Sequence, residues 1–500
     1  MQFNSLAFAA FLPVVFAGYW LLDRLLFCKG QDSEKKVTAL NAYLLLASYF
    51  FYAYWDWRFL GLLAGMSIMS YGAGVLLSFR DNETPKEYCN GAWRKAVLWM
   101  AVGANVVVLG LFKYYNFFVT SFCDLFGQDA FHSALDWVLP LGISFFTFQA
   151  IAYVVDAYRG TLISYNRKTG WTAFVDCLLY IGFFPKLLAG PIERPSHFLP
   201  QLRGRRRFDG ETAIDGLHQF LWGLFKKMVV ADNCAVYVNM VYADYTNQSG
   251  STLLLAAVLY SIQIYGDFSG YSDMALGTAK LFGFSFRDNF LFPYFSRNMG
   301  EFWKRWHISL NTWFVDYVYI PLGGSRCGKV RTITNTMVIF LLSGLWHGAD
   351  WSFVCWGGYH GLLLVLLILS GRNVKYPDVA AYDRRLPNLK EFGQMVGVFV
   401  LATIGWMMFR ADNMEVFVGY MAGLCDRSLL TIPYLDNSLQ IGLSVLLMFA
   451  VEWVTRRRSH GLAGLVTYRP AWQFIAVVVL LLVIWFMGQM EYTEFIYFQF

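Results

Sequence analysis

Charge is scarce in this chain of 500 residues. Asp, Glu, Lys and Arg make up 15% of it, against 57% hydrophobic and 19% aromatic residues. Soluble domains carry about 25% charged residues, so the scarcity excludes an ordinary soluble fold. The formal net charge of +6 is too small and too dispersed to imply nucleic-acid binding. The eight cysteines stand apart with no CxxC pair, which argues against a zinc site and a disulfide framework. Strict alternation of apolar and polar residues is missing from runs such as 98–111 and 362–369, and a transmembrane β-barrel requires it. A basic segment is missing ahead of the first apolar stretch, which continues to Phe27, so no cleavable signal peptide is expected.

What is present is a series of nearly uncharged runs of about 20 residues, long enough to cross a ~30 Å hydrocarbon core. Backbone amides in that core need internal partners, so the runs imply helices. Basic loops at 28–38, 80–95, 159–168, 194–207, 326–331, 372–390 and 456–469 alternate with loops poor in positive charge at 122–136, 233–250, 411–437 and 490–500. Basic loops face the cytoplasm. Threading the chain between the two sets gives about 12 crossings, with both termini outside. The expected crossings are 6–27, 38–54, 58–79, 94–118, 136–157, 213–232, 251–267, 332–346, 353–370, 391–410, 439–455 and 470–489. The connecting loops have no room for a soluble domain, so residues 1–500 read as one membrane-embedded, all-α unit. Internal repeats of the kind found in transporters are not evident.

Two apolar segments do not fit as crossings. Segment 171–190 lies between basic loops and contains Pro185, Lys186, Gly190 and Pro191, which interrupt helices; it reads as re-entrant or interfacial. Segment 301–320 is also flanked by basic residues. Phe302, Trp306, Leu310, Trp313, Tyr317 and Ile320 recur there at helical spacing, predicting an amphipathic helix at the interface or along a cavity.

Ionisable groups in membrane segments cost about 2.5–3.5 kcal/mol each on insertion scales, and three clusters carry them. Leu345-Trp346-His347-Gly348-Ala349-Asp350-Trp351 ends an apolar run only about 15 residues long, shorter than a full crossing. A histidine there suits general-base chemistry, with Asp350 or a backbone carbonyl fixing its tautomer; the bland alternative is a histidine bonded between packed helices. Trp303-Lys304-Arg305-Trp306-His307-Ile308-Ser309-Leu310 sets His307 on the shoulder of the apolar stripe, with Asn311 one turn on. As a bare pattern this is more simply an interfacial helix. Tyr265-Gly266-Asp267-Phe268-Ser269-Gly270-Tyr271-Ser272-Asp273 places two carboxylates and several hydroxyls in an apolar stretch, where they bind a hydroxylated substrate, position a histidine, or knot helices together. His132, His197, His218, His360 and His460 have no comparable setting. The run 203–207 serves topology and contact with anionic lipid, and it could also steer an acidic carrier or a nucleotide cofactor.

In order along the chain, these clusters resemble the membrane-bound O-acyltransferase family, in its bacterial alginate O-acetyltransferase-like branch. The strings that carry the resemblance also include Leu141-Gly142-Ile143-Ser144-Phe145-Phe146-Thr147-Phe148-Gln149, Phe183-Phe184-Pro185-Lys186-Leu187-Leu188-Ala189-Gly190-Pro191-Ile192, Tyr319-Ile320-Pro321-Leu322-Gly323-Gly324, Ser343-Gly344 leading into the His347 cluster, and the ending Phe495-Ile496-Tyr497-Phe498-Gln499-Phe500. The resemblance implies a ring of transmembrane helices around a thinned centre, with a funnel to a buried histidine that maps onto His347 and a second family histidine at His307. It implies no bound cofactor but an acyl thioester co-substrate, acetyl-CoA or acyl carrier protein, on the cytoplasmic side. It also implies a glycan acceptor outside, an extracytoplasmic acetyltransferase partner, and residence in the bacterial inner membrane. Asp267, Ser269, Asp273, Trp303, Trp306, Asn311, Trp346 and Asp350 are the expected substrate-binding or supporting residues. D-alanyl transfer to teichoic acid is a close variant. A transporter or flippase, or a non-catalytic scaffold, is the alternative class; both would survive loss of His347.

Overall fold

The computed structural model describes residues 1–28, 33–78, 91–127, 137–162, 170–371, 376, 378–435, 438–490 and 493–498. His132 and much of the loops at 80–95, 122–136 and 159–168 lie outside the described residues. Among the described residues there is no strand, and the chain runs through helices. Its first half contains α1 (Leu6–Phe27), α2 (Glu34–Asp56), α3 (Leu60–Leu76), α4 (Ala92–Leu109), α5 (Tyr115–Phe126), α6 (Ile143–Tyr158), α7 (Trp171–Gly182), α8 (Phe184–Leu187), α9 (Pro195–Phe198) and α10 (Gly210–Phe225). The second contains α11 (Asp232–Ala243), α12 (Gly250–Leu281), α13 (Met299–Arg305), α14 (Ile308–Phe314), α15 (Lys329–His347), α16 (Trp351–Leu369), α17 (Leu389–Arg410), α18 (Met414–Leu424), α19 (Ser438–Thr455) and α20 (Pro470–Met487).

Seven helical stretches among the described residues are long and apolar enough to span a bilayer; one of them, Glu34–Leu76, is α2 and α3 joined at a 3-10 turn. This is a multi-pass membrane protein. The share of each apolar window that is buried separates lipid-facing from central helices: 11% in α20 against 83% in α12. Helix α12 therefore packs against protein on nearly every side. Packing divides the chain into two compact units, residues 1–216 with 278–287, and residues 217–277 with 288–500.

In the first unit, α7 is 12 residues long, about 18 Å at 1.5 Å per residue, well short of the hydrocarbon core. Phe183 is extended, and Pro185 sits in the first turn of α8, where its missing N–H costs nothing. Lys186 is fully buried and donates to the side-chain oxygen of Gln149 and the carbonyl of Tyr180.

The second unit corrects three boundaries. The helix expected over 251–267 runs for 32 residues through Asp267, Ser269 and Asp273 to Leu281. Polar side chains do not interrupt it, because buried partners receive them. The amphipathic helix expected over 301–320 is broken at His307 into α13 and α14, followed by a π-helical turn, Val315–Tyr319. Phe302, Trp306, Leu310 and Trp313 of the stripe are buried in protein, as are Trp303 and Phe314, while Ile320 at its end is exposed. The third is α15, with 19 residues where about 15 were expected. Lys329 and Arg331 end the apolar run, but the helix continues through them.

Candidate active site

The second unit holds every residue of the candidate site. His347 is the last residue of α15, and the N–H of Gly348 closes the helix on the carbonyl of Gly344. α15 and α16 form a tight hairpin. A Cβ on Gly344 would lie 2.2 Å from the carbonyl oxygen of Phe353, and one on Gly357 would lie 2.2 Å from that of Phe340. Only hydrogen fits at either crossing. Asp350 is the N-cap of α16, accepting from the N–H of Ser352 at 2.7 Å. Its carboxylate thus shapes the turn after His347.

The His347 ring is buried among aromatic rings. Centroid distances are 4.9 Å to Trp346, 5.1 Å to Trp356, 5.3 Å to Phe409, 5.5 Å to Tyr497 and 6.3 Å to His307. The two histidines, 40 positions apart in sequence, are neighbours in one buried aromatic cluster.

His307 reaches it through an unusual backbone. Its φ of 45° is left-handed, a conformation rare for residues other than glycine, asparagine and aspartate. Several bonds hold it. Ile308 N–H donates to the carbonyl of Asn289 at 3.0 Å, and the N–H and hydroxyl of Ser309 both donate to the side-chain oxygen of Asn289. The Asn311 amide donates to the carbonyls of Trp303 and Trp306 at 2.6 and 2.7 Å. Asn311 thus ties together the two helices that His307 separates. Burial pushes the His307 imidazole down to about 3, so the ring is neutral near pH 7. Phe268 packs edge-on to it at 4.6 Å.

Trp303 and Trp306 form the surrounding aromatic layer. Trp303 packs against Trp356 at 5.7 Å and His360 at 4.9 Å, and Trp306 against Trp406 at 4.6 Å and Phe290 at 5.1 Å. The polar groups of α12 bond to other partners. Asp273 pairs with Lys226 at 2.6 Å and accepts from Gln219, while Ser269 accepts from Lys226 at 2.9 Å. Lys226 lies 3.9 Å from Glu452, which accepts from the Tyr265 hydroxyl. This cluster borders a small cleft that Trp222, Asn289 and His460 also line. Asp267 pairs with Lys227 at 2.7 Å. Between these carboxylates, Phe268 is the residue of α12 that meets His307.

Several residues of the site were not singled out in sequence. Lys226 and Lys227 fall inside the expected crossing 213–232, and Glu452 inside 439–455. The cost of a charge in the membrane, applied there as at the three clusters, would have found them. Tyr497 stands in the ending that carries the family resemblance but has no assigned role there, because only tertiary folding brings it to His347. His360 sits in a ring of Trp303, Trp356 and Trp406, and Gly405 leaves it room: a Cβ there would meet His360 Nε2 at 2.3 Å.

Residues 164–404 match the model of the membrane-bound O-acyltransferase family. The chain is 37% identical over 423 residues to a Pseudomonas aeruginosa protein named "Probable alginate O-acetylase AlgI", covering 83% of this chain and 73% of that protein. It is 34% identical to the peptidoglycan O-acetyltransferase of Helicobacter pylori, covering 85% of this chain and 80% of the relative. It is 28% identical to the teichoic acid D-alanyltransferase of Bacillus subtilis, over 53% and 66% of the two chains. A multi-pass helical protein with this extent of likeness is an O-acyltransferase, and the chain belongs to the membrane-bound O-acyltransferase family.

Proposed function

We propose that the protein moves an acetyl group from a cytoplasmic thioester, acetyl-CoA or an acyl carrier protein, to hydroxyls of an extracytoplasmic polysaccharide, with His347 as general base. One observation carries the reading. Two buried histidines, distant in sequence, face each other at 6.3 Å within an aromatic enclosure. The relatives that act on alginate and peptidoglycan support an envelope glycan as the acceptor.

The acceptor hydroxyl attacks the thioester carbonyl carbon as neutral His347 takes its proton, a contribution of about 10²–10⁴-fold. The carbonyl oxygen becomes an oxyanion. His307 is the better donor for it, because the N–H of Gly348 is already bonded to Gly344 and because a ring kept neutral by burial still carries one N–H. Collapse of the adduct expels the thiolate, which takes the proton held on His347. The surrounding tryptophans and phenylalanines exclude the water that would otherwise hydrolyse the thioester. Trp303, Trp306 and Asn311 support the His307 turn; Trp346 and Asp350 support His347; Ser269 and Asp273 act through the Lys226 cluster. An extracytoplasmic acetyltransferase partner fits as the next recipient of the acetyl group.

The orientation follows from the basic loops: an inner-membrane protein with both termini outside. Reconstitution in liposomes tests the reaction as a whole. With protein inserted in one orientation, acetyl-CoA on the face of the basic loops should acetylate glycan on the opposite face. Transfer only when donor and glycan share a face would overturn the vectorial reading.

A further inference from the structure

The neighbouring lysines of the second unit point to different tasks. α10 passes into a π-helical turn, Lys226–Ala231. Such turns break the regular bonding of a helix and frequently mark functional positions. Lys226 serves the Asp273–Glu452 cluster. Lys227 takes different partners, pairing with Asp232 at 2.8 Å and Asp267 at 2.7 Å. All three side chains are buried. One lysine meets a single oxygen of each carboxylate, and a buried acceptor left over demands a further donor.

The donor comes from the far end of the chain. Asp267 Oδ2 accepts the backbone N–H of Ile496 at 2.8 Å. The same turn holds the segment leading there: Met228 accepts from Gln489 N–H at 2.9 Å, and Lys227 Nζ lies 3.5 Å from the carbonyl of Thr493. Asn233, just after the turn, donates to the carbonyl of Met487 at 2.8 Å. Met487, Gln489, Thr493 and Ile496 are therefore each fastened to α10–α12 polar groups around this turn. The consequence reaches the histidines, since Tyr497, next to the bonded Ile496, packs 4.4 Å from Phe268, 5.5 Å from His347 and 6.2 Å from His307.

We propose that Lys227, Asp232 and Asp267 form a seat for the C-terminal segment, and that Asp267 is a positioning residue that sets Tyr497 in the His307–His347 cluster. Asp267 acts on transfer through the segment and does not touch the substrate. The effect on catalysis rests on the reading of that cluster as the site of acyl transfer; the seat itself does not.

The full-length protein in lipid nanodiscs tests this with two readouts. The first is the rate at which a water-soluble maleimide alkylates Ile496→Cys, followed by mass spectrometry of the C-terminal peptide; the substitution keeps the backbone N–H that Asp267 binds. The second is kcat and KM for acetyl-CoA. Asp267→Ala should speed alkylation about ten- to a hundred-fold, the population shift expected from losing one hydrogen bond to a charged acceptor. It should lower kcat while leaving KM for the donor unchanged. Asp267→Asn keeps an oxygen for the Ile496 N–H and should fall between, and it carries the test if Asp267→Ala does not fold. Lost kcat with the introduced thiol still protected would overturn the proposal, since Asp267 would then act directly. So would fast alkylation with unchanged kcat, or ready alkylation without any change at Asp267. If His347→Ala remains active while the Asp267 variants release the segment, the base assignment falls and the seat stands.

Discussion

Gly344→Ala isolates the geometry that places His347, because the added methyl touches no part of the cluster itself. Its Cβ would lie 2.2 Å from the carbonyl oxygen of Phe353 and 3.1 Å from the carbonyl carbon. Carbon and oxygen settle at about 3.3 Å or more, so the backbone of α16 has to retreat from α15 by about 1 Å. The obstacle is main chain inside a helix, and no rotamer change relieves it. Overpacking of this kind costs about 1–3 kcal/mol. The larger effect falls on catalysis: His347 ends α15 and Trp356 lies on α16, and a 1 Å displacement of a reacting group costs about 10²-fold in rate. Gly358→Ala is the control on the same hairpin, where the nearest atom to an added Cβ is Leu341 Cδ2 at 3.7 Å, an ordinary contact. Alanine in place of an unstrained helix glycine gains about 0.5–1 kcal/mol. Thermal unfolding in detergent, read by tryptophan fluorescence beside acetyl turnover, should show Gly344→Ala destabilised and nearly inactive, with Gly358→Ala at least as stable as the parent and active. Equal melting and equal turnover in the two variants would refute the tight hairpin as the device that places His347.

His307→Asn should retain partial transfer and His307→Ala should not, because asparagine both donates a hydrogen bond and tolerates the left-handed backbone at this position; full activity in both would remove His307 from the mechanism. The same ring is held at about 3 in the folded protein, below its usual 6.5. Protons therefore bind preferentially to the unfolded chain below pH 6.5, and stability falls as pH drops from there; a melting series should show His307→Asn less sensitive to acid than the parent. Asp350→Ser should keep both stability and turnover, since serine supplies the capping oxygen, whereas Asp350→Ala should lose about 0.5–2 kcal/mol of stability. Inactive but stable Asp350→Ser would instead make Asp350 a partner of His347. Reporter fusions after Phe500 and within 372–390 should report opposite faces of the membrane, and agreement between them would remove the topology.

The helices, the membrane class and the costly ionisable clusters were legible because each follows from a local rule, length of apolar run, sign of loop charge or cost of a buried ionisable group, whereas His307 was set beside His347 only by the family resemblance. The breaks were less so. The spacing from Phe302 to Ile320 is helical, yet the chain kinks at His307, because Asn289 and Asn311 offer its neighbours better bonds than a continuous helix does. No pattern within 301–320 contains Asn289. The carboxylates of α12 were legible as costly groups but not as partners of two adjacent lysines, one for each carboxylate, since a π turn shifts the helical register without a sequence signature. Asp350 sits one turn from His347 in sequence, and its bond to the Ser352 N–H gives it a second, purely local use. Tyr497 was out of reach of any local rule, because its neighbours are set by the folding of the whole second unit.

The central claim is that His347 removes the acceptor's proton, and turnover of acetyl-CoA in the presence of glycan by purified His347→Ala tests it most directly. The variant should elute from size-exclusion chromatography as the parent does, with His347→Gln as a better-packed companion, while transfer falls by about 10²–10⁴-fold in both. Well-folded His347→Ala or His347→Gln that acetylates glycan at the parent's rate would contradict the account.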